Sequence, residues 1–466
     1  MRKDRDFWIL IIAIIAFVGL KWEALGLPFF WDEAWVYMPA IRTMAEVGPS
    51  VMPGSIDAEL YTGHPLLFYF LASSWIKVFG YSLFKAHLFP LLLSIGLLVS
   101  VYYVVLKWTQ VSFTALMAAL LVLVQPIFLT QSTYLLIEIW LGLLFVWSFY
   151  FYFEKRWLAF GAVTLMALWS KESAYTLILC FGIFALLEFV VLKEGGKVLF
   201  SKLAWIFGLF ILGLAFFVLQ KINMGWYLFP RHANWINLQE FSFKFDIATG
   251  ILFKDQGRQA YYLLAGMAAV IGLIQYQNKL SKTQWLKVIS ILLFSFGFMV
   301  FAAINFFSNR YLFGAIPLLM MATALLFGNI QVKFYDYSLL LLTGIYGSFN
   351  IYNSINNSNY GDTELSYTHL LKAQVGMVQY LEQNPNNAQM YAPFLMLMNL
   401  NNPYAGFVKS PIPMLTSQLT DSSNVYYLQE PNEREPEFDS LLLQQKLILV
   451  HEAVEGKAWV RLYKKL

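Results

Sequence analysis

Long apolar runs alternate with short polar connections along this chain. Runs near the roughly 20 residues that a helix needs to cross the hydrocarbon core lie at 7–25, 83–107, 111–130, 134–153, 157–170, 173–192, 199–220, 259–276, 285–305, 310–328 and 335–352. The pattern predicts about eleven spanning helices. The run PLLFYFLASSWIKVFG at 65–80 is also apolar, but it is short and carries Lys77. Counting it as a span reverses the side of everything after it.

Basic residues decide between these two topologies. With 65–80 in the interface, one side collects Arg2, Lys3, Arg5, Lys107, Lys155, Arg156, Lys193, Lys197, Lys202, Lys279, Lys282, Lys287 and Lys333 on short connections. The other side receives the larger pieces 26–82, 221–258 and the tail after about 353. The run 65–80 therefore reads as an in-plane or re-entrant helix. The N-terminus is placed in the cytoplasm and the tail outside.

The tail changes character. Residues 353–359, NSINNSN, read as a polar linker, and 364–383 as an amphipathic helix. Strand-like runs follow at 388–391, 424–428, 446–451 and 458–463, separated by Pro- and Asn-rich turns. The expected fold is thus an all-α polytopic membrane protein with in-plane helices and a small C-terminal α/β extracytoplasmic domain. The expected division is 1–352 for the membrane domain, with external loops 26–82 and 221–258, and 353–466 for the outer domain.

Composition agrees. The chain has 466 residues, 59% hydrophobic and only 13% charged, where a soluble domain carries about 25% charged residues. The net charge of +4 is small and spread out, and gives no nucleic-acid footprint. The single cysteine, Cys180, excludes an internal disulfide and a CxxC metal site. Residues 7–20 after the basic start resemble a signal peptide, but no small-x-small cleavage site follows, so they read as a retained first helix. No phosphate-binding glycine loop and no internal repeat is present. Asn356-x-Ser358 is a sequon best read as a chance match.

Under this topology the outward helix ends gather ionisable residues that a bilayer does not keep without a use. Trp31-Asp32-Glu33-Ala34-Trp35 follows the first span. His64-Pro65 opens the in-plane segment, and Thr133-Tyr134 with Glu138 marks a later junction. Ser170-Lys171-Glu172-Ser173, Arg231-His232 and Asn309-Arg310-Tyr311 complete the set. Each has a plain explanation: snorkelling anchors, a turn histidine, boundary charges, an ion pair or helix cap. Together they describe an outward cavity with cations suited to a phosphate and carboxylates suited to a base or a metal. Asp32, Glu33, Glu138 and His232 carry ligand-type side chains for a divalent ion, but no spacing demands one, and no other cofactor is expected.

In order, these motifs resemble those of the GT-C glycosyltransferases that use polyprenyl-phosphate sugars. The nearest branches are the dolichyl-phosphate-mannose protein mannosyltransferases and the lipid A aminoarabinose transferases. The resemblance rests on Asp32-Glu33-Ala34-Trp35-Val36-Tyr37, on His64-Pro65-Leu66-Leu67-Phe68-Tyr69 through Phe79-Gly80, on Thr133 to Glu138, on Ser170-Lys171-Glu172, and on Arg310-Tyr311 with Pro317. It covers about residues 7–330. It implies Asp32 as general base or acceptor-orienting acid, with Glu33 and Glu138 as further catalytic carboxylates. It implies His64, Lys171, Arg310 and Tyr311 at the donor phosphate, and Trp35, Tyr37, Tyr69, Tyr134, Arg231 and His232 lining the substrate site. The expected partners are a polyprenyl-phosphate sugar, a lipid, glycan or protein acceptor, and membrane lipid, at a bacterial inner membrane. Leu66 replaces the second proline of the motif, Gly63 replaces the Glu of the aminoarabinose branch and with it that branch's metal site is not implied, and the short loop 221–258 departs from the mannosyltransferases. A transporter or flippase of a lipid-linked or anionic substrate is the alternative; it favours charges near the middle of spans, where this chain has few. A non-catalytic scaffold leaves the acidic pair unexplained.

Overall fold

The computed structural model describes residues 2–230, 236, 238–275, 281–328, 333–385, 388–416, 425–433, 438 and 447–465. A helix stands at each of the eleven predicted places. The first six helices are α1 (Arg2–Lys21), α2 (Met38–Val47), α3 (Leu67–Phe79), α4 (Leu83–Thr109), α5 (Ser112–Leu123) and α6 (Pro126–Gln131). Next come α7 (Glu138–Phe153), α8 (Trp157–Leu168), α9 (Tyr175–Leu192), α10 (Gly196–Met224) and α11 (Phe241–Thr249). The last described membrane-region helices are α12 (Arg258–Gln275), α13 (Lys282–Ile304), α14 (Ile316–Phe327) and α15 (Lys333–Asn356).

Among the described residues, six helical stretches are long and apolar enough to cross a membrane alone: Asp4–Gly26, Leu83–Thr109, Glu172–Leu192, Gly196–Met224, Lys282–Ile304 and Asn309–Phe327. Helices α3, α5, α7 and α8 are apolar but shorter, at 10–17 residues. The expected span 111–130 is broken at Val124-Gln125, because Pro126 cannot continue the hydrogen-bond ladder and its ring restricts the residue before it. The expected span 134–153 starts as a helix only at Glu138, and Asn309–Ala315 is a tight 3-10 turn leading into α14. Helix α3 has 13 residues, or about 20 Å, which does not cross a roughly 30 Å core. It packs on α2 and α4.

Local chemistry fixes the helix ends. Ser82 caps α4 by accepting from the Lys85 amide, and α4 stops at Gln110 in a left-handed conformation, φ 59°. Ser281 and Gln284 form a reciprocal capping box at the start of α13. Gly63, at φ 82°, lies where a Cβ would come within 2.2 Å of Phe229, so a side chain there would collide with the long loop.

Contacts place Arg5, Lys202 and Lys287 toward one end. Arg5 donates to the Tyr337 hydroxyl at 3.0 Å, and Ser112 Oγ donates to Asp6 at 2.6 Å. Lys287 lies 4.7 Å from the Trp108 ring centroid. Lys202 bridges Glu188 (2.7 Å) and Glu194 (2.5 Å), and Tyr152 donates to Glu188. The starts of α7 and α9 lie at the other end, and so does the Asp32 turn.

The C-terminal region is α/β, as expected. Its sheet has the order β2-β1-β3-β5-β4. The strands are β1 (Met390–Tyr391), β2 (Leu415–Thr416), β3 (Tyr426–Gln429), β4 (Leu447–Glu455) and β5 (Ala458–Lys465). Strand β1 pairs parallel with β2 and β3, whereas β5 pairs antiparallel with β3 and β4. Helix α16 (Tyr367–Gln383) covers β4 and β5, and α17 (Phe394–Asn401) follows β1. Two features differ from expectation. Helix α15 runs to Asn356, past the start of the anticipated linker, with the Asn356 side chain bonded back to the Tyr352 carbonyl. The pair α17 and β2 had no periodic signal, being eight and two residues long. One continuous apolar core runs from the helical bundle into α16 and β5.

Candidate active site

The chain enters the site through Trp31, whose φ of 47° turns the backbone sharply. Asp32 and Glu33 then begin a wide helical turn, Glu33–Tyr37, that leads into α2. Successive residues on a helix point about 100° apart, so the two carboxylates part company. Asp32 stays 24% exposed and turns to Arg310, whereas Glu33 is 1% exposed and turns inward. Its oxygens accept from the Leu135 amide at 2.7 Å and the Phe30 amide at 3.2 Å, and His87 Nε2 lies 3.1 Å away. Glu33 thus ties the first loop to the start of α7.

Arg310 is the centre of the charged cluster. Its Nη2 donates to Asp32 Oδ2 and its Nη1 to Asp362 Oδ2. Its Nε lies 3.6 Å from Glu138 Oε1, beyond hydrogen-bond distance. Lys171 Nζ donates to the same Glu138 oxygen at 3.0 Å and sits 3.8 Å from the Tyr311 ring centroid. Glu138, Lys171 and Arg310 are all buried. Arg310 Nε and Glu138 Oε2 are buried with no hydrogen-bond partner. Burial pushes the Asp362 carboxyl above its ordinary range, and Arg310 pulls in the opposite direction.

Each of these groups comes from an unwound helix end. Glu138 is the first residue of α7, Lys171 precedes the 3-10 turn into α9, and Arg310 lies in the 3-10 turn before α14. Asp362 follows α15, and its backbone carbonyl accepts from Gln131 Nε2 at 2.5 Å. Helix ends leave backbone groups unpaired, so polar side chains and backbone collect there rather than along the apolar spans.

A cavity of about 320 Å³ opens beside the cluster. His64, Lys171, Glu172, Ser173 and Tyr311 form its polar end. Phe298, Phe301, Ala302, Ile304 and Phe306, from the end of α13 onward, supply much of its apolar wall. His64 Nδ1 is 2.7 Å from Glu172 Oε2, which joins the start of the in-plane segment to the start of α9. Tyr37 and Tyr69 stack at 5.3 Å with an interplanar angle of 3°, and burial pushes both phenols up.

The structure therefore brings together Asp32, Glu138, Lys171, Arg310 and Tyr311, with His64 on the same cavity as Lys171 and Tyr311. It directs three other expected residues elsewhere. Glu33 is in the bracing network, Trp35 packs edge-on against Phe394, and Tyr134 lies between Phe30 and Tyr367. Arg231 and His232 lie outside the described residues. Sequence reading missed Asp362, because its stretch looked like the edge of a linker, and His87, because it sits inside an apolar run. Among the described residues, no group of three or more His, Cys, Asp or Glu is arranged to hold a metal ion.

No family model matches the chain, and no curated protein matches it. Solved structures do. ArnT from Cupriavidus metallidurans bound to undecaprenyl phosphate is 12% identical with a TM-score of 0.59, over 98% of this chain and 97% of that one. The same protein in the apo state gives 12% and 0.57, over 97% of each chain. The Archaeoglobus fulgidus oligosaccharyltransferase in the apo form is 11% identical with a TM-score of 0.48, over 90% of this chain and 61% of that one. The similarity to ArnT is one of fold. It extends through the C-terminal domain, where the motifs had stopped.

Proposed function

We propose that this protein is a membrane glycosyltransferase that moves a sugar from a polyprenyl-phosphate donor to an acceptor hydroxyl. The observation that carries the reading is the placement of a cationic, buried pair, Lys171 and Arg310, between an apolar-walled cavity and the partly exposed carboxylate of Asp32. A polyprenyl-phosphate sugar has the same layout: an apolar tail, a phosphate and an anomeric carbon, in that order. The tail occupies the cavity wall of α13, the phosphate lies toward Lys171, His64 and Arg310, and the sugar faces Asp32.

The chemistry is a single displacement with inversion. The acceptor oxygen bonds to the anomeric carbon as the bond from that carbon to the phosphate oxygen breaks. Asp32 takes the acceptor's proton as general base, and the bonding electrons leave with the phosphate. Lys171 and Arg310 stabilise the extra charge as the phosphodiester becomes a phosphomonoester. Glu138 orients both cations rather than the substrate, and Glu33 holds the loop that presents Asp32.

The acceptor is a lipid, a glycan or a protein, and the sugar a hexose or pentose. The site faces outward from a bacterial cell membrane, with the N-terminus cytoplasmic and residues 353–466 as the outer domain. The likeness in fold to ArnT bound to undecaprenyl phosphate supports this donor class. The transporter reading loses ground because the charges sit at helix ends beside one cavity. The test is a panel of undecaprenyl-phosphate sugars offered to purified protein in nanodiscs, with free undecaprenyl phosphate as the readout. Release from one donor in the presence of an acceptor supports the reading; silence across a panel that reaches the protein contradicts it.

A further inference from the structure

Two contacts on Arg310 dictate an order of events. A guanidinium grips a phosphate in two-pronged fashion through one of two edges, Nη1–Nη2 or Nε–Nη2. Both edges include Nη2, and here Nη2 is on Asp32. Donor phosphate and Asp32 therefore compete for the same nitrogen. The local charge sharpens the competition. Asp32, Glu138 and Asp362 are three carboxylates on two cations, Arg310 and Lys171. A phosphate added without any carboxylate moving away places a fourth acid on those cations.

The remaining atoms show which side yields. Nε is buried and makes no hydrogen bond, with Glu138 Oε1 3.6 Å away, so the Nε–Nη2 edge is open to a phosphate once Asp32 leaves. Asp362 holds the opposite nitrogen, Nη1, and is itself fixed through its backbone carbonyl by Gln131. It is also the more buried of the two acids, at 16% against 24% exposed.

The geometry points to a substrate-released base: donor phosphate takes the Nε–Nη2 edge of Arg310 and frees Asp32, while Asp362 keeps Nη1 and holds the guanidinium in place. Asp32 Oδ2 then becomes available for the acceptor's proton only in the donor complex. Asp362 is a positioning residue that acts through Arg310. The competition concerns phosphate binding alone; the later use of Asp32 as base rests on the glycosyltransferase reading.

The test is calorimetric titration of farnesyl phosphate onto the full-length protein in detergent, with folding of each variant checked by gel filtration. Asp32→Asn is expected to bind about tenfold more tightly than wild type, since a neutral amide holds Nη2 weakly. Asp362→Ala is expected to bind about tenfold more weakly although it too removes a negative charge, and Asp362→Glu to recover most of the loss. A purely structural role for Asp32 does not produce tighter binding. An Asp32→Asn protein that binds no more tightly than wild type overturns the competition. An Asp362→Ala protein that tightens as Asp32→Asn does reduces Asp362 to one more charge and overturns its positioning role; if Asp362→Ala does not fold, Asp362→Asn is read in its place, with loosening or tightening interpreted the same way. Absence of binding by both wild type and Asp32→Asn is a separate pattern, and it removes the polyprenyl-phosphate reading itself.

Discussion

At the scale of single residues, adjacent acids have unrelated tasks. Asp32 faces Arg310, while Glu33 is a buried brace between Phe30, Leu135 and His87. Removing one partner of a buried charged network leaves the others uncompensated. Glu33→Ala is therefore expected to destabilise the protein by about 3–5 kcal/mol, seen as a lower melting temperature and poor recovery from the membrane. A Glu33→Ala protein as stable as wild type would show the network to be dispensable. Under the proposed function, Lys171→Ala is expected to lower turnover by about 10²–10³-fold, read as polyprenyl phosphate released per enzyme, because it removes a preorganised cation from the proposed leaving-group site. The motif made Asp32, Glu138, Lys171 and Arg310 legible, since ionic residues at the ends of apolar helices are costly without a purpose. The partners of Glu33 were not legible. A backbone amide 102 positions away leaves no mark in a sequence. Asp362 was hidden for a different reason: nothing in NSNYGDTEL separates an acid that reaches Arg310 from a solvated one.

At the scale of elements, the spans were legible because length and hydrophobicity alone define them. The breaks within them were not, because Gln125-Pro126 lies inside an apolar run that reads straight through. In the C-terminal α/β domain, α16 and the β4–β5 pair showed their periods, but α17 and β2 are too short to show one. This domain holds a pH-sensitive contact. Glu430, just after β3, is buried against the Gln374 side chain of α16, with Glu433 close by. Burial pushes its carboxyl from 4.5 up to about 7. The folded state thus keeps a proton that the unfolded chain releases, so the stabilisation is complete below about 4.5 and fades as the pH rises through about 7. The expected loss across that window is about 3 kcal/mol, observable as faster amide exchange in 426–430 at pH 8 than at pH 5 after correction for intrinsic rates. Glu430→Gln is expected to remove the difference; persistence of the difference in that variant would place its origin elsewhere.

At the scale of the whole molecule, the C-terminal α/β domain packs against the elements that carry the candidate site. The Phe29 amide donates to the Ala405 carbonyl at 3.0 Å, Tyr367 of α16 packs on Phe30 and Tyr134, and Asp362 reaches Arg310. Sequence reading drew a boundary at 352/353, whereas the apolar core runs across it. Hydrophobic continuity between distant segments is a tertiary property that local patterning does not record. Orientation is open to direct measurement, since the single native thiol, Cys180, is buried. Lys457→Cys, on the exposed β4–β5 turn, is expected to react with an impermeant maleimide in intact cells, and Lys155→Cys only after permeabilisation. The reverse pattern would invert the topology and place the Arg310 cluster in the cytoplasm. The claim that joins all three scales is that sugar transfer occurs at Asp32 beside Arg310. It is tested most directly by comparing wild type and Asp32→Asn, both shown to be folded, for release of undecaprenyl phosphate from a saturating donor in nanodiscs. The account predicts donor-dependent release by wild type and loss of release in Asp32→Asn; equal turnover by the two proteins would contradict it.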